Sequence, residues 1–133
     1  MEYYFSTVLS EITFGKAIQR TTSALKDEGF GVLTEIDIRN TLKQKLNVNF
    51  PHYTILGACN PSFAHKALQI ENKIGTMLPC NVIVRDAEDG NIEVAAVNPI
   101  ASMVGVHNEE LTGIAEEVRD KLKRVIEALQ ESH

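Results

Sequence analysis

The sequence predicts an α+β domain of two layers, in which a largely antiparallel five-stranded sheet carries two long helices on one face and two short inserted helices. Three observations lead there. Five short runs rich in β-branched and aromatic residues are separated by turn residues. Two longer stretches, after Thr13 and after Asn108, repeat apolar residues at helical spacing. The last two strand-like runs are joined by a tight acidic turn, a connection that only antiparallel neighbours accept. A helix with one apolar stripe needs a surface to cover, and one face of the sheet supplies it. The other face is left for water, a ligand or a second copy of the chain.

Taken in order, Tyr3 to Leu9 alternates as a first strand. Thr13 caps a helix whose stripe is Phe14, Ala17, Ile18, Thr21 and Leu25, and Gly29 ends it in the left-handed conformation that glycine tolerates. Val32 to Ile36 is the second strand. Asp37 then caps a short helix with Ile38, Leu42 and Leu46 on its apolar face. Tyr53 to Cys59 is the third strand, its small residues Gly57 and Ala58 leaving room for another backbone. Asn60-Pro61 is a cap followed by a first-turn proline, so a brief helix follows over Ser62 to Gln69. Cys80 to Arg85 and Ile92 to Val97 are the fourth and fifth strands, a hairpin turning at Glu88-Asp89-Gly90-Asn91. Asn98-Pro99 repeats the capping pair and starts a short turn through Met103. Asn108 caps the last helix, whose stripe runs Leu111, Ile114, Ala115, Val118, Leu122, Val125 and Leu129. On its outer face Glu117 precedes Lys121, and Asp120 precedes Arg124, each at a spacing that favours ion pairs.

With 133 residues and neither repeat nor linker, the chain reads as one domain over 1–133. Hydrophobic residues at 44% and charged residues at 23% are ordinary globular usage. A net charge of −5 provides no basic field for phosphate backbones, so nucleic acid is excluded as a partner class. No stretch approaches the roughly 20 apolar residues of a membrane span, and the first ten residues lack the pattern of an export signal. A cytoplasmic location with unpaired cysteines is therefore expected.

The candidate site comes from two doublets, Cys59-Asn60 and Cys80-Asn81, each where an apolar run meets a turn. If the third, fourth and fifth strands form an antiparallel meander, the end of the third lies beside the start of the fourth. That brings Cys59 and Asn60 to Cys80 and Asn81, with Asn98 and Met103 returning to the same edge. Two capped helix starts would direct free N–H groups there, among them that of Ser62, which suits an anion and favours a thiolate. Glu35, near the end of the second strand, is a candidate base. Metal through two thiolates with Met103 or a histidine is set aside, because the cysteines lie 21 positions apart without a close-spaced second ligand. Cysteine also packs as a small hydrophobe, and both residues read that way equally well. The chain contains no phosphate-binding glycine loop, no Gly-x-Ser-x-Gly, no Cys-x-x-Cys and no His-Glu-x-x-His.

Longer blocks carry a resemblance. Glu28-Gly29-Phe30-Gly31-Val32-Leu33-Thr34-Glu35-Ile36-Asp37, Tyr53-Thr54-Ile55-Leu56-Gly57-Ala58-Cys59-Asn60-Pro61 and Leu78-Pro79-Cys80-Asn81-Val82 closely resemble the family catalogued as domain of unknown function 302. The resemblance spans nearly the whole chain. It implies two helices on a curved antiparallel sheet similar to the TATA-binding-protein-like fold, and a homodimer. It supplies no activity, and the cofactor is unknown. Thr76 and Met77 stand where bulkier aliphatic residues are expected, a difference of packing rather than chemistry.

The leading functional expectation is a homodimeric cytoplasmic domain binding a small anion or polar metabolite at the sheet edge, through Cys59, Asn60, Ser62, Cys80, Asn81, Asn98 and Glu35. One alternative is a thiol-dependent enzyme using Cys59 or Cys80, with Glu35 or His65 carrying the proton. Another is a self-association module with no small-molecule site.

Overall fold

Strands β1 (Tyr4–Leu9), β2 (Gly31–Asp37), β3 (Tyr53–Cys59), β4 (Cys80–Asp86) and β5 (Ile92–Val97) form one sheet in the order β1-β5-β4-β3-β2. Every neighbouring pair is antiparallel. These features belong to a computed structural model, which describes residues 2–131. The expected two-layer α+β architecture is what the chain adopts. Strands β2 to β5 follow one another as a meander, and β1 pairs with β5 at the far edge. Helix α1 (Phe14–Asp27) therefore carries the chain from one edge to the other, and its apolar stripe covers the sheet on the way.

Thr13 Oγ1 accepts from the Lys16 N–H at 3.2 Å, and Asp37 Oδ1 accepts from the Asn40 N–H at 2.9 Å. Asn108 Oδ1 accepts from the Glu110 N–H at 3.1 Å, at the start of α5 (Glu109–Glu131). Gly29, at φ +88°, lets the Phe30 N–H return to the Leu25 carbonyl at 2.9 Å and closes α1. Only a residue without Cβ takes that backbone readily. The hairpin turn is likewise left-handed, at Asp89 (φ +59°) and Gly90 (φ +74°).

One sheet face packs on the helices. Leu9, Leu56, Val82, Val84, Val94 and Ala96 meet Leu25 of α1 and Leu122, Val125 and Leu129 of α5, all buried. The other face presents Tyr4, Val8, Ile36, Ile55, Ile83 and Val97, every one of them partly or largely exposed. Helix α2 (Ile38–Leu46) buries no residue: Ile38 and Leu42 are half-buried, and Leu46 is 66% exposed. Its expected apolar stripe is thus weaker than its pattern suggests, because it hangs from edge strand β2. Lys121 and Arg124 of α5 turn to Glu28, at 4.0 and 3.1 Å, a tertiary partner that helical spacing cannot foresee. No helix among the described residues is long and apolar enough to cross a membrane.

Candidate thiol cavity at the β3–β4 edge

In the β3–β4 ladder Ala58 faces Cys80 and Gly57 faces Asn81, so Cys59 lies one residue beyond the Cys80 pairing. Residues 21 positions apart in sequence are therefore neighbours in space. Gly57 is required by the close approach of other side chains. A Cβ there would run into Thr34 Oγ1 and into Pro79 Cγ, the latter at 2.8 Å.

Helix α3 (Pro61–Ile70) starts directly after Cys59-Asn60, and with α5 it roofs a cavity of about 40 Å³. Cys59, Asn60, Phe63, Cys80, Met103 and Val118 are among its lining residues. The wall is almost wholly apolar. A single water needs roughly 10–15 Å³ on this measure, so the partly open cavity has room for a few atoms.

Both cysteines are free; Cys80 is buried and Cys59 half-buried. Burial, with a smaller contribution from nearby Cys59, pushes the Cys80 thiol up to about 11. Desolvation of the thiolate is the dominant cause, as expected for sulfur in apolar surroundings. At neutral pH Cys80 is held as the neutral thiol, which does not suit an activated nucleophile.

The other candidates divide by location. Asn60 starts α3 with its backbone, but its side chain makes no capping bond. Its Nδ2 donates instead to the Glu28 carbonyl at 3.5 Å, tying the start of α3 to the end of α1. Ser62 is exposed on the first turn of α3. Asn81 points to the opposite sheet face, where it lines a groove of about 450 Å³ with Tyr4, Tyr53, Ile83 and Ala95. Asn98 is buried and fully engaged: Oδ1 accepts from the Ile100 N–H at 3.1 Å, and Nδ2 donates to the Glu2 carbonyl at 3.1 Å. It caps α4 (Pro99–Ser102) and pins the N-terminal segment. Glu35 is exposed on β2 opposite Leu56, whereas Cys59 faces Gly31. At about 3.3 Å per residue that places Glu35 roughly 10–13 Å from the thiol end of the strand. His65 is exposed on α3 and does not line the cavity. The cavity thus gathers Cys59, Asn60, Cys80 and Met103, and leaves out Ser62, Asn81, Asn98 and Glu35.

The far wall, Ile114, Ala115 and Val118 of α5, was outside the reach of neighbouring-strand reasoning. Its only sequence signal is the apolar stripe of the last helix, which does not say which residues of the sheet it meets.

With the sheet order and the cavity established, comparison decides the family. Residues 5–129 match the model of the domain of unknown function DUF302. The chain belongs to that family. A crystal structure titled as an uncharacterized conserved DUF302 protein from Bacillus stearothermophilus superposes with a TM-score of 0.87 at 26% identity, covering 96% of this chain and 98% of that one. An uncharacterized protein of Aquifex aeolicus (strain VF5) is 34% identical over 68 residues, 51% of this chain and 46% of that protein. The match thus spans about half the length of this curated relative. The DUF302 fold of this chain is shared; no activity comes with it.

Proposed function

We propose that this DUF302 chain is a small binding domain, whose ligand enters the cavity between the start of α3, the thiol ends of β3 and β4, and α5. The observation that carries this reading is the meeting of two free cysteines and Asn60 on the wall of one cavity. Its size and apolar lining favour a small, soft ligand over the polar metabolite that the asparagines suggested. A binding role is preferred to thiol catalysis because the Cys80 thiol is held protonated and the candidate proton carriers are elsewhere. The same reading sets the chain in a reducing cytoplasm, where two unpaired thiols persist. A fragment library screened by thermal shift against the full chain, Asn60→Ala and Cys80→Ala tests it. Hits whose shift disappears in either variant are expected; a screen in which every hit survives both substitutions overturns the reading.

A second reading concerns self-association and rests on the uncovered sheet face. Tyr4, Val8, Ile55, Ile83, Ala95 and Val97 form an apolar surface there, crossed by one Arg85–Glu93 pair at 2.7 Å. Its charges are balanced within the face, so a second copy can meet it without unpaired charge. We propose a homodimer through this face.

A further inference from the structure

We propose that the arm formed by α2 and the loop that follows it docks on the surface of an anionic phospholipid bilayer. The arm is separate from the thiol cavity and from the groove beside Asn81, neither of which it lines. The net charge of −5 hides its sign. Between Asp37 and Glu71 the sequence contains no Asp or Glu. Three cations of that stretch, Arg39, Lys43 and Lys45, stand on α2, all exposed and, among the described residues, outside every ion pair. Asp86, the carboxylate at the foot of the loop, accepts from the His52 N–H at 3.0 Å. The arm is a basic end on an acidic molecule.

Apolar side chains sit among these cations. Leu46 is 66% exposed, Val48 41% and Phe50 39%, at the C-terminal end of α2 and in the loop after it. At 3.6 residues per turn Ile38, Leu42 and Leu46 share one stripe of the helix, with Arg39 and Lys43 on one side of it and Lys45 on the other. Ile38 and Leu42 are half-buried where α2 packs on β3, and Leu46 stands beyond that contact. Asn47, in the left-handed conformation at φ +53°, stops the helix there by returning its N–H to the Lys43 carbonyl at 3.0 Å.

Cations flanking an apolar tip are what a bilayer interface accepts. Leucine, valine and phenylalanine enter the boundary between headgroups and acyl chains, while lysine stems lie along it and carry their ammonium groups to the phosphates. A protein partner would need a surface shaped to these side chains, whereas lipid fits around a projecting tip of any shape. Attraction to an anionic leaflet falls off within a Debye length. The basic end therefore orients the molecule, and its acidic remainder stays away from the surface.

The test is sedimentation of the full chain with vesicles of phosphatidylcholine alone, or of phosphatidylcholine and phosphatidylglycerol in equal parts. Binding to the anionic vesicles only, released by raised salt, is expected. Lys43→Gln and Lys45→Gln should each weaken it about fivefold, and Leu46→Ser about tenfold. Because the chain has no tryptophan, Leu46→Trp gives a single reporter, whose emission should move to the blue on the anionic vesicles. Circular dichroism checks that each variant is folded, as expected for exposed positions. Absence of binding to the anionic vesicles overturns the proposal, as does binding that a Lys43→Gln/Lys45→Gln double variant leaves unchanged. A Leu46→Trp emission that stays in place while the chain sediments shows adsorption by charge alone and overturns docking of the tip. Retention on immobilised polyglutamate without vesicle binding assigns the arm to an acidic protein instead.

Discussion

Cys80 illustrates how one residue's surroundings set its chemistry. Its thiol is raised from an ordinary 9.0 to about 11, chiefly by burial and then by Cys59. In the unfolded chain the thiol ionises earlier, so between pH 9 and 11 the unfolded state holds fewer protons than the folded one. Stability from this group is complete below pH 9 and is lost as pH rises through the folded value, by roughly 3 kcal/mol. Urea unfolding across that window should show the loss, and Cys80→Ala should lack that part of it; parallel curves would contradict the assignment. Gly57 is the complementary case, fixed by space rather than charge. Gly57→Ala drives a methyl group into Thr34 and Pro79, and overpacking of this kind costs about 1–3 kcal/mol. A lowered urea midpoint with an unchanged slope is the expected result. The sequence marked both positions as unusual. Neither the burial of the thiol nor the two side chains against Gly57 could be read from residues 57 to 80 alone, because Thr34 and α5 come from elsewhere.

At the scale of elements, helix starts and strand alternation were legible because their signals are local. The caps at Thr13, Asp37 and Asn108 and the bounds of β3 and β5 follow from side chains within a few residues of each terminus. The departures arise where a distant partner wins. Asn60 begins α3 but gives its amide to Glu28, and Lys121 and Arg124 prefer Glu28 to their helical neighbours. β2 carries a bulge between Val32 and Thr34, leaving Leu33 68% exposed, a local irregularity that alternation does not announce. Helix α5 is the element on which the core depends most, since it packs on β1, β5, α1, α3 and α4. Leu122→Ala on its buried face should cost about 2–5 kcal/mol, visible as a lower thermal midpoint. Exposed Leu46→Ala on α2 should be nearly silent in the same assay.

The whole molecule separates two surfaces that the sequence had merged. Cys80 and Met103 lie on the helix side of the sheet edge, whereas Asn81, Ile83 and Arg85 belong to the uncovered face. A ligand in the cavity and a second copy on the sheet would therefore act independently. Sedimentation at micromolar concentration should show a dimer, and Ile83→Asp should convert it to monomer while thermal-shift hits at the cavity persist. A parent chain that sediments as monomer removes the dimer; hits lost together with the dimer would show the two surfaces to be coupled.

By itself the sequence determined the five strands, the amphipathic helices, the antiparallel meander and the approach of Cys59 to Cys80. Hydrophobic period and capping act over a few neighbouring residues, and the meander adds only the tendency of consecutive strands to lie side by side. Only the tertiary structure decided which side chains share the cavity, that Asn98 is engaged in holding the backbone, that Asn81 looks the other way, and that Met103 arrives from a third element. Such facts depend on the order β1-β5-β4-β3-β2 and on how α3 and α5 settle across it. Packing between segments far apart in the chain sets them, and no local pattern encodes it.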